Sequence, residues 1–114
     1  MNEKYERAAY RILKRIGANQ GYDGFKYSID IITRIMEEPN RSFVLTGSKG
    51  LYAETAKHFK RSGWRQIERA VRHMIERIFE SEDKEYQDVL GTERMTNKQF
   101  VESICNYIRY EEEE

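Results

Sequence analysis

The sequence predicts an all-α fold, a compact bundle of about six helices that contains a helix-turn-helix. Three observations predict it. Apolar residues recur at spacings of three and four along most of the chain, and no stretch shows a convincing two-residue alternation. The single proline, Pro39, stands where a helix should stop. A hydrophobic content of 39% beside a charged content of 35% suits narrow apolar stripes under a heavily charged surface. At 114 residues the chain has room for one modest core, not two.

Tyr5, Ala9, Ile12, Leu13 and Ile16 make the first stripe, ended by Gly17. After "GANQGYDG", Phe25, Ile29, Ile32 and Met36 make a second, which cannot run past Glu38 because Pro39 disfavours helical geometry before it. "RSFVLTGSKG" reads as a short helix followed by a Gly-rich turn. Leu51, Thr55 and Phe59, flanked by Ala56, form the third stripe. The pattern breaks near Arg61 to Gly63, then resumes with Ile67, Val71, Met74 and Ile78. Glu80 to Thr92 reads as a polar loop with a turn of helix around Tyr86 to Leu90. "TNKQ" offers a capping box, Thr96 as cap with Gln99 three residues later, and Phe100, Ile104, Cys105 and Ile108 make the final stripe. One helical domain is expected over residues 1–110, followed by an acidic tail, 111–114, expected to be disordered.

Several function classes drop out early. Cys105 is the lone cysteine, so no internal disulfide can form and a reducing compartment is expected. No apolar run approaches the ~20 residues of a membrane span, and "MNEKYERAAYRILKR" lacks the apolar core of a signal peptide. A cytoplasmic protein without membrane partners follows as the expectation. "TGSKG", Thr46 to Gly50, lacks the spacing of a phosphate loop and a Lys followed by Ser or Thr. His58 and His73 have no Cys or carboxylate at metal-ligand spacing. Cys105 lies on an apolar stripe, where core packing is expected rather than nucleophilic work. No catalytic constellation emerges, so neither enzyme activity nor a metal or other cofactor is expected.

The charge distribution is more informative. Net charge is zero, yet seven Lys and Arg gather between Lys57 and Arg77 against two Glu. Leu51 to Lys60, a break containing Gly63 and a helix from Trp64 to about Phe79 have the shape of a helix-turn-helix. At 100° per residue, Ile67, Val71, Met74 and Ile78 share an arc of about 60°, while Arg65, Arg69, Arg72 and Glu76 share the opposite one. Glu68 lies on one flank of that outer arc, Gln66 and His73 on the other. Arginine can grip guanine with two hydrogen bonds, glutamine adenine, and glutamate can accept from cytosine N4, so these side chains suit a major groove. The plainer reading is a solvated helix with i,i+4 pairs between Glu68 and Arg72 and between Arg72 and Glu76. Lys57, Lys60 and Arg61, at the end of the first helix and in the turn, stand where phosphate contacts are expected in this motif. Trp64 is expected to pack as a staple at the helix start, the alternative being a place against the sugar-phosphate backbone.

"LYAETAKHF" and "IERAVRHMIER" closely resemble the DNA-binding effector domain of the stage-zero sporulation response regulator family. That family reads as a Tyr-Pro-x-x-Ala-x-x-Phe/Tyr helix followed by Ser-Arg-Val-Glu-Arg-Ala-Ile-Arg-His. "ILKRIGANQGYDGFKYSIDII" and "MTNKQFVESI" are similar to two further family segments, so the likeness runs from about Tyr10 to Arg109. It implies a six-helix domain that binds short DNA boxes upstream of promoters, as a homodimer on tandem sites and alongside the transcription machinery. By position it implies that Glu68 and Arg69 read bases and that Arg72 and His73 lie near the phosphate backbone. Two departures stand out. The family's Arg two residues before that Glu is replaced by Gln66, with Arg65 displaced by one, and the turn "KRSGWRQ" is one residue longer. The family's regulators also carry an N-terminal phosphoacceptor domain, for which Met1, just before the first helix, leaves no room; a stand-alone module is the expectation.

The functional expectation is a sequence-specific regulator of transcription on double-stranded DNA, with Arg65, Gln66, Glu68 and Arg69 at bases and Lys57, Lys60, Arg61, Arg72 and His73 at phosphates. A rival expectation is a protein-interaction module that pairs with a full-length relative and binds DNA weakly or not at all. Net neutrality, the altered turn and an acidic tail able to compete for the basic face motivate it.

Overall fold

The computed structural model describes residues 2–113, with the side chain of Glu113 left out. Its first helix, α1 (Glu3–Arg15), starts at Asn2, whose side-chain oxygen accepts the Lys4 N–H at 2.9 Å. It ends in a Schellman arrangement: the Gly17 N–H reaches the Lys14 carbonyl and the Ala18 N–H the Leu13 carbonyl, with Gly17 at φ +86°. Ala9, Ile12, Leu13 and Ile16 are buried as the stripe predicts.

The second helix, α2 (Asp23–Glu37), is the central one and packs against α1, α3, α4 and α6. That position explains why it buries Tyr27, Ile31 and Ile35 as well as the predicted stripe residues Phe25, Ile32 and Met36, leaving Ile29 half-buried. The remaining elements are α3 (Leu51–His58), α4 (Trp64–Glu80), α5 (Gln87–Leu90) and α6 (Asn97–Glu113). All of the described residues in regular structure are helical, and one hydrophobic cluster draws on all six helices. No described helix is long and apolar enough to cross a membrane.

One expectation is corrected. Residues 41–46 are not a short helix but a segment without regular structure laid across the start of α3. The Val44 and Leu45 carbonyls accept the Leu51 and Tyr52 N–H groups at 2.9 and 3.0 Å, satisfying donors that a helix leaves free at its first turn. Gly50 permits that approach, since a Cβ there would lie 2.4 Å from the carbonyl oxygens of Leu45 and Thr46. Helix α6 continues to Glu113, and Glu111 and Glu112 pair with Arg11 at 3.4 Å and Lys4 at 3.2 Å on α1. Glu114 lies outside the described residues.

The capping box is present in full. Thr96 Oγ1 accepts the Gln99 N–H at 3.2 Å, and Gln99 Oε1 accepts the Thr96 N–H at 3.0 Å.

Candidate nucleic-acid interface

Helices α3 and α4 are joined by the short segment 59–63, and the sequence closes that turn in an unusual way. The Arg61 N–H bonds the Ala56 carbonyl at 2.8 Å and the Lys60 N–H the Lys57 carbonyl at 3.2 Å, a second Schellman arrangement. The left-handed position that Gly17 fills after α1 is here filled by Lys60, at φ 57°. A side chain costs about 1–2 kcal/mol in that conformation, so a cation is kept at the turn against backbone preference.

Helix α4 is held from three sides. Ile67, Val71, Met74, Ile75 and Ile78 are buried, each contributing about 1.5–3 kcal/mol over exposure. Against α2 the backbones nearly touch: a Cβ on Gly24 would lie 2.4 Å from the Ala70 carbonyl oxygen. On the opposite flank, Asn97 Nδ2 at the start of α6 donates to the Glu68 carbonyl at 3.2 Å and to the Tyr52 hydroxyl at 2.9 Å. Burial pushes that hydroxyl up to about 12, so Tyr52 stays a neutral partner.

The fourth side is open. Arg65, Gln66, Arg69, Arg72 and His73 are exposed along it, and Lys57 and Lys60 are exposed at the end of α3 and in the turn. Among the described residues, Lys57, Lys60, Arg65 and Arg69 meet no carboxylate. Arg65 lies over the Trp64 ring, 4.7 Å from its centroid, while Trp64 itself packs on the core. Gln66 Oε1 accepts from the Ser62 hydroxyl at 3.2 Å. His73 lies against Tyr22 in a tilted arrangement, ring centroids 5.2 Å apart.

Two of the selected residues differ in placement. Glu68 is half-buried and leans towards Arg72, 3.6 Å away, which matches the i,i+4 pair of the plainer reading. Arg61 turns inward. Its Nε donates to the Tyr27 hydroxyl at 2.7 Å and its Nη1 to the Phe59 carbonyl at 3.1 Å, so its guanidinium braces the turn against α2. Tyr22 and Asn97 escaped sequence reasoning, because nothing local marks an aromatic or an amide that meets α4 from a distant helix.

No described group of three or more His, Cys, Asp and Glu could hold a metal ion. Burial pushes the Cys105 thiol up to about 12, which keeps it protonated and inert in the core.

The chain matches the family described as sporulation initiation factor Spo0A C-terminal over residues 9–108, a span that takes in the whole of α2 to α5. It belongs to that family. The family is one of DNA-binding effector domains of a sporulation regulator rather than of enzymes, and the helix pair with its exposed cations accords with that membership. No curated protein sequence matches the chain.

Proposed function

We propose that this chain is a sequence-specific, double-stranded DNA-binding regulator of transcription, with α4 entering the major groove. One observation carries the reading. Arg65 and Arg69 project, without acidic partners among the described residues, from a helix whose other three sides are fixed. Unpaired guanidiniums on a rigid rod are suited to bidentate contacts with guanine. Arg65, Gln66, Glu68 and Arg69 are assigned to bases, Glu68 by exchanging Arg72 for a cytosine amino group. Lys57, Lys60, Arg72 and His73 are assigned to phosphates. Arg61 is assigned to bracing the turn instead. On tandem boxes two copies would lie side by side, and contact with the transcription machinery would follow from promoter-proximal binding.

The interaction-module reading loses support on one of its three motives, since Glu111 and Glu112 of the acidic tail pair with Arg11 and Lys4 on α1.

Selection of bound sites from random duplexes, followed by titration of two variants, tests the proposal. Arg69→Ala is expected to cost about 1–3 kcal/mol on the selected box and little on scrambled DNA. Lys60→Ala should weaken both alike and make the log–log salt slope about 0.9 shallower. Equal losses for both variants on both DNAs would end the base-reading assignment.

A further inference from the structure

Beside the open face of α4 runs a groove of about 510 Å³, walled by the 44–46 segment, the outer edge of α4 and residues 94–98. Three cations line it: Arg72 from α4, Arg94 from the loop before α6, and Lys98 from the first turn of α6. Two carboxylates, Glu68 and Glu76, stand among them. Arg94 reaches across to Glu76 at 3.4 Å, which places its guanidinium directly alongside the recognition face. Lys98 is exposed and extends over the Phe43 ring, 5.6 Å from its centroid. Both cations lie far in sequence from the helix pair and belong to none of the contacts assigned above.

From this placement we infer that Arg94 and Lys98 form a second phosphate-gripping shelf, which takes the DNA backbone along the groove beside α4. The inference rests on the DNA-binding reading and extends it. Continuity supports it, since Arg72 and Glu68 belong both to the open face and to the groove wall. So does charge, because the cations outnumber the carboxylates and each carboxylate already holds one of them loosely, at 3.6 and 3.4 Å. Exposed pairs of that kind are worth at most about 1 kcal/mol, so a phosphate can take the arginine from its glutamate. In the free protein Glu76 parks Arg94; on the duplex Arg94 turns to the phosphate.

Opposite signs distinguish this role from a structural one. Arg94→Ala and Lys98→Ala are each expected to reduce the salt slope on duplex DNA by about 0.9 and to weaken selected and scrambled boxes alike. Glu76→Gln, which breaks the same ion pair, should tighten binding because it frees Arg94. If Arg94 only pins the loop, Arg94→Ala and Glu76→Gln will shift binding in the same direction and lower the melting midpoint together, and the shelf is refuted. Unchanged affinity and slope in Arg94→Ala and Lys98→Ala, with normal binding by the wild-type chain, refutes the shelf alone. A wild-type chain that binds no selected duplex removes the parent reading and the shelf with it.

Discussion

Under α3, the Asp30 carboxylate accepts from Arg34 Nε at 2.8 Å and from the Thr55 hydroxyl at 2.7 Å, and the chain of charges continues through Glu54 and Arg41 to Glu38. On the outer side of α4, Arg65 and Arg69 have no such partners among the described residues. The same kinds of side chain thus do opposite work some tens of residues apart. In the first region the cations are consumed within the fold, where they join α2 to the helix that precedes the turn. In the second they are left without carboxylate partners among the described residues. Lys4, Arg7, Arg11, Lys26, Arg34 and Arg41 pair with carboxylates, as do Arg72, Arg77 and Arg94, whereas among the described residues Lys57, Lys60, Arg65 and Arg69 do not. Composition sees only the sum, zero; the structure separates scaffold charges from available ones.

The sharpest way to break this contrast is to damage the scaffold side. Asp30 is 2% exposed, and its Oδ1 has no hydrogen-bond partner, so its charge depends on Arg34 and Thr55. Arg34→Met leaves that carboxylate buried with one hydroxyl. A loss of about 3 kcal/mol in urea unfolding is expected, the low end for a broken buried pair because Arg34 itself is partly solvated. The salt slope on DNA should not change, since Arg34 belongs to the scaffold set.

Arg61 sits on the border between the two regions and gives a smaller, more pointed test. It lies in the basic run yet donates to Tyr27 and Phe59. Arg61→Ala is expected to lower the melting midpoint while leaving the salt slope at its wild-type value. Arg65→Ala should do the reverse, a weaker complex and an unchanged melt. If both arginines move the slope equally, the boundary between scaffold and available charge is misplaced.

What the residues disclosed in advance was local. The stripes located the helices because burial follows the 3.6 period, and Thr96 with Gln99 located a helix start because both partners lie within one turn. The outward arc of Arg65, Arg69 and Arg72 followed from the same period. What stayed hidden depended on partners distant in sequence. Arg61 turns inward because Tyr27 waits 34 residues away, and Glu111 near the end of α6 meets Arg11 across 100 residues. The 41–46 segment is not helical, and its Val44 and Leu45 carbonyls are used by α3, a tertiary demand that no local propensity records.

The smallest expected effect falls on Lys60, where fold and function pull against each other. After α1 the left-handed position belongs to Gly17; after α3 the same hydrogen-bonding pattern is closed with Lys60 at φ 57°. Lys60→Gly removes the clash of its Cβ with the backbone and should raise stability by about 1 kcal/mol, read as a higher urea midpoint with an unchanged m-value. The same variant loses a cation at the turn and should shorten the salt slope by about 0.9. A glycine that stabilises the turn and weakens DNA binding is what a strained residue retained for a ligand predicts. A glycine that stabilises without touching the slope places Lys60 outside the phosphate set and leaves Lys57 as the cation assigned to phosphate before α4.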